Sequence, residues 1–112
     1  MSPQLTLWCL VEQKSSEFSV DISSEKSVYD LKKIIKAEKP NDLGRIDAND
    51  LIFWMVDISI IKNAAYDQDY KRLVDTFKSD HHNKMGNSDK VGDYIKEAEP
   101  KKIQVVIELP KQ

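Results

Sequence analysis

The chain has 112 residues, with 40% apolar and 32% charged, which is the make-up of one ordinary globular domain and not of a disordered chain. Its 17 basic and 19 acidic residues are interspersed to a net charge of −2, so the basic field that a duplex-binding domain uses to displace phosphate counterions is missing. A single cysteine, Cys9, permits no internal disulfide and places no demand for an oxidising compartment.

Met1 to Gln4 carries no charged n-region, and Leu5 to Val11 is too short for a signal h-region with its cleavage site. No stretch approaches the length of a membrane span. Secretion, if it occurs, uses no conventional signal peptide visible here.

Leu5 to Val11 alternates as a strand, with Leu7, Cys9 and Val11 on one side and Thr6, Trp8 and Leu10 on the other. After a polar turn, Phe18, Val20 and Ile22 alternate with Ser19 and Asp21, which completes a hairpin. Ser27 is a helix N-cap with Asp30 three residues on, and Val28, Leu31, Ile34 and Ile35 form the apolar stripe of a helix. Pro40 stops that helix, and Asn41 to Asn49 is a connector. Asp50 to Val56 is the most apolar run and predicts a buried or two-faced strand, with a short strand over Ile58, Ile60 and Ile61 after it.

Tyr66, Tyr70, Leu73, Val74 and Phe77 then recur at helical spacing, which predicts a second amphipathic helix over 64–78. Ser79 to Asn87 is polar and loop-like, and Ser88 opens a short helical turn carrying Val91, Tyr94 and Ile95. Ile103 to Leu109 is a final β-branched strand, ended by Pro110. The expected fold is α+β: a ubiquitin-like β-grasp, a mixed sheet of four to five strands crossed by one main helix. A second helix is inserted at about 62–87, within a domain spanning 1–110.

Three blocks in this order carry a resemblance: Leu7-Trp8-Cys9-Leu10-Val11, Phe18-Ser19-Val20-Asp21-Ile22 and Ser27 to Lys36. They resemble the opening of the Crinkler effector family, and Lys39 to Leu43 with Asp47 to Leu51 are similar to its fungal members. The family's translocation motif, L-x-L-F-L-A-K, would fall on Leu51, Ile52, Phe53, Trp54, Met55, Val56 and Asp57, where Leu51 alone matches identically. Ile103 to Pro110 resembles the family's H-V-L-V-x-x-P boundary, and the resemblance implies a variable C-terminal domain that is expected to be absent from this chain.

The resemblance implies a non-enzymatic header of a secreted effector, used in symbiosis or virulence. It would support secretion and translocation into host cells, with the nucleus a destination of full-length proteins, and self-association into a dimer. The rival reading is an intracellular ubiquitin-like adaptor that binds signalling or degradation machinery. A conjugated modifier is disfavoured, because Leu109-Pro110-Lys111-Gln112 carries no diglycine tail.

Candidate chemistry is sparse, and no catalytic, cofactor or metal residue is assigned. His81-His82 sits in a polar loop without convergent ligands, and Cys9 lies mid-strand without a histidine nearby in sequence. Asp67, Asp69, Asp75 and Asp80 alternate with Lys71, Arg72 and Lys78, as on a solvated helix face. The informative pattern is apolar. If Leu51, Phe53 and Met55 face the main helix, then Ile52 and Trp54 share the opposite face with Trp8, Leu10 and Val106. Those five residues form the candidate protein-binding face, for a protein partner or a second copy of the chain, unless the inserted helix folds back over them. Trp54→Asp separates the two readings, since an open face loses binding whereas a covered one loses the fold.

Overall fold

The structure is a computed structural model that describes residues 4–14, 16–97, 99 and 101–110. β1 (Gln4–Val11) and β2 (Phe18–Ser23) form the hairpin, paired antiparallel from Gln4 opposite Ser23 to Cys9 opposite Phe18. Val20 and Ile22 are buried while Ser19 and Asp21 face solvent, as period-two alternation requires. Gln13 turns the hairpin in the left-handed region at φ 76°.

α1 (Val28–Glu38) starts at Ser27 with a reciprocal capping box. The Asp30 amide donates to Ser27 Oγ at 3.1 Å, and the Ser27 amide donates to Asp30 Oδ2 at 3.3 Å. Val28, Leu31 and Ile35 bury one face of the helix against the sheet. The helix ends at Glu38, yet Pro40 does not open a plain connector. It occupies the first position of a short helix, α2 (Pro40–Leu43), where a missing amide costs nothing, and α2 drops Leu43 into the core.

β3 (Ile52–Ser59) is one strand; Ile58, expected to open a separate short strand, belongs to it. A wider-wound run, Tyr66–Tyr70, comes next in π-helical form and leads into α3 (Lys71–Lys78), so the helical reading of 64–78 is largely realised. β4 (Lys102–Glu108) closes the sheet. The order is β2-β1-β4-β3, with β4 parallel to β1 and antiparallel to β3. The last strand in sequence therefore lies inside the sheet. This α+β architecture, with one helix crossing a mixed four-stranded sheet, is compatible with the ubiquitin-like β-grasp.

Two apolar clusters flank the sheet. One lies under α1 and contains Leu7, Cys9, Val20, Leu31, Ile35, Leu51, Phe53, Val105 and Ile107. The other lies under α3 and contains Leu10, Trp54, Val56, Ile58, Tyr66, Tyr70, Val74, Ile103 and Val106.

Candidate protein-interaction face

β3 delivers its side chains to the two faces as alternation dictates. Leu51 and Phe53 are fully buried on the α1 side, with Met55 packed against the same cluster. Ile52, Trp54 and Val56 turn to the other side. Of the motif-like segment Leu51 to Asp57, Leu51 directly precedes β3, the rest lies within it, and Asp57 alone is exposed.

The face expected to be open is covered. Leu10 and Val106 are wholly buried, and Trp54 retains 7% of its surface. Ile52 packs at the margin of the same cluster. Trp8 stays half-buried beside Ile103 and outside the cluster, so the five residues do not form one contiguous patch. The cover is the inserted segment. Tyr66, Tyr70, Val74 and Phe77 recur at helical spacing, and that stripe lies on the sheet's second face. Leaving Trp54, Leu10, Val106 and Ile103 in water would expose several aromatic and aliphatic side chains at about 25 cal/mol per Å², so folding the helix back is the lower state.

Polar contacts fix the helix in place. Lys78, in the last turn of α3, donates to Glu108 Oε1 at 2.6 Å and to Glu12 Oε2 at 3.0 Å. The Trp54 indole N–H donates to the same Glu108 oxygen at 3.1 Å, and the Lys78 ammonium stands 6.0 Å from the Trp54 ring centre. Partial burial pulls the Lys78 pKa down, but its hydrogen bonds to Glu108 and Glu12 outweigh that and hold it above the ordinary lysine value. Partial burial likewise pushes Glu108 up, and Lys78 with the indole holds its carboxyl below the usual range. At the other end of the segment, the Tyr70 hydroxyl accepts from the Ile61 amide at 2.8 Å. The Lys78–Glu12–Glu108 cluster was not legible in the sequence, because Lys78 lies 66 positions from Glu12 and 30 from Glu108, and only the fold brings them together.

The remaining candidate groups are in bland settings. Cys9 is buried, and burial pushes its thiol far above the reactive range. Asp80 caps a short 3₁₀ turn by accepting from the His82 amide at 2.9 Å, and it also meets His82 Nδ1 at 3.0 Å. Asp69 accepts from the Ala65 amide at 2.8 Å, as a helix-start carboxylate does. Among the described residues no three His, Cys, Asp or Glu side chains converge on a metal position, and no helix is long and apolar enough to cross a membrane. Large apolar side chains left in solvent are Leu73 on the outside of α3 and Ile61 just before the insertion.

The sequence profile of the Crinkler effector protein N-terminal domain matches residues 5–108. Crinkler effector protein 1 of Rhizophagus irregularis is 44% identical over 57 residues, a stretch that is 49% of this chain and 12% of that protein. The chain therefore spans only a small part of the length of the relative it matches. The matched region contains both faces of the sheet, α1 and the inserted helix, and on that ground the chain belongs to the Crinkler effector N-terminal domain family.

Proposed function

We propose that this domain is the N-terminal header of a secreted effector and works by binding protein, with no covalent chemistry of its own. In this reading it supports export from the producing organism and translocation into host cells. The observation that carries it is the family match across residues 5–108. The fates of the polar groups agree with a binding role: Lys78, Glu12, Glu108 and Trp54 are spent on holding one helix to the sheet, and Cys9 is sealed in the core.

The covered tryptophan face relocates the binding surface in this proposal. Contact, including any self-association, would use the outer side of α3 around Leu73 and the half-buried Trp8. Imaging an epitope-tagged full-length protein during host colonisation tests the delivery role. Tag inside host cells is the expected result, and tag confined to the producer's own cytoplasm would sink the proposal.

A further inference from the structure

A groove of about 210 Å³ opens between β3 and the segment leading to β4. It lies at the β3 edge of the sheet, where Met55 and Tyr94 from the α1 side and Val56 and Phe77 from the α3 side all line it. Its floor carries Gln104, which both neighbouring ladders skip. Trp8 pairs with Ile103 and Cys9 with Val105, while Met55 pairs with Val105 and Ile58 with Ile103. Bulges of this kind re-aim a side chain out of the regular alternation. Gln104 accordingly lines the groove and is 92% buried, its residue exposure being 8%. Its Nε2 donates to the Glu97 carbonyl at 3.0 Å, which fixes which end is oxygen. The Oε1 has no hydrogen-bond partner among the described residues. An orphaned buried acceptor of this kind costs about as much as a lost hydrogen bond and calls for an explanation.

The rim is rich in acceptors. Asp57, Glu97 and Glu99 stand on it against one lining cation, Lys96. Lys102 engages Asp57 at 3.2 Å and Glu99 at 3.1 Å, which leaves Glu97 as the rim carboxylate without an ion pair among the described residues. The volume is below that of pockets for drug-sized ligands and suits one side chain. We propose that this groove is a recognition slot for a single basic side chain, arginine in preference to lysine, presented by a partner protein. The apolar walls would take the methylene stem, and Phe77 or Tyr94 the flat face of the guanidinium. Glu97 supplies the counter-charge. The last torsion of a glutamine is soft, so a turn brings the Gln104 oxygen onto an incoming N–H and gives up the Nε2 contact to the Glu97 carbonyl in exchange for a charge-assisted one. Arginine is favoured over lysine because its fork of donors can meet an amide oxygen and a carboxylate at once. This proposal is independent of the delivery role.

The test is an amide-detected NMR titration of the whole chain with Nα-acetyl-arginine methylamide, beside the lysine and norleucine analogues. The expected result is a saturable shift at Met55 to Asp57, Tyr94 to Glu97 and the Gln104 side-chain amide, strongest for arginine and weakened by salt. Glu97→Gln changes an exposed side chain, and Gln104→Met keeps the volume. Each should lower arginine affinity by about tenfold, the loss of one charge-assisted hydrogen bond. The slot is overturned if no saturable shift occurs, or if norleucine binds as well as arginine. Undiminished binding by both folded variants would also overturn it, and would mean that the orphaned oxygen meets only water.

Discussion

Trp54 buries most of a large aromatic surface and still satisfies its N–H on Glu108. A tryptophan covers about 200 Å², so its burial contributes at most about 5 kcal/mol. Trp54→Asp is therefore expected to cost at least about 3–5 kcal/mol and to unfold a large fraction of the chain, as read by urea denaturation. A folded Trp54→Asp protein that had lost only a binding activity would contradict the covered face. Leu73→Glu, on the exposed side of α3, is expected to move stability by no more than about 0.5 kcal/mol, so it probes the surface without disturbing the fold. The ion-pair cluster adds a pH signature. The Glu108 pKa is depressed in the folded chain, so its contribution is present above the unfolded glutamate value of about 4.3 and is lost as pH falls through the folded value. Lys78→Met should flatten that acid limb of the stability–pH curve, measured by thermal melts between neutral and acid pH.

At the scale of elements, local signals and tertiary demands part company at particular places. The α1 cap was legible because a capping box is a local device, and Ser27→Ala is expected to lower stability by about 1 kcal/mol, read from the shift of the urea midpoint. Pro40 stops α1 as read, but the expected connector misled, because proline is also a good first residue and here opens α2. Whether it also starts a helix is decided by whether the next residues have something to bury, and here Leu43 reaches the core. The inserted helix was legible as a helix from its apolar stripe, but nothing in that stripe says which surface it meets.

Across the whole molecule, β4 lies between β1 and β3 and contributes to both apolar clusters, with Val105 and Ile107 on one side and Ile103 and Val106 on the other. The sheet is thus a wall with a core on each face, and the second core exists only because the 66–78 segment returns to it. Replacing residues 62–80 by a short Gly-Ser linker should keep strand content by circular dichroism but expose the Trp54 face. Self-association by light scattering and binding of a hydrophobic dye are the expected readouts. A monomeric, dye-silent deletion would show that something other than α3 protects that face.

The sequence by itself determined the alternation of each strand, the cap and stripe of α1, the helical spacing of the insertion and the order of the main strands and helices. All of these are local patterns whose periods of 2 and 3.6 are set by backbone geometry. It also carried the family, through blocks that need no third dimension to be read. Only the tertiary structure decided whether the tryptophan-bearing face was open, that Trp8 stands apart from Trp54, and that Lys78 meets Glu12 and Glu108. Alternation says which residues share a face, but coverage depends on where a segment a dozen or more residues away comes to rest. That resting place is set by the total apolar area removed from water, a quantity no local window contains.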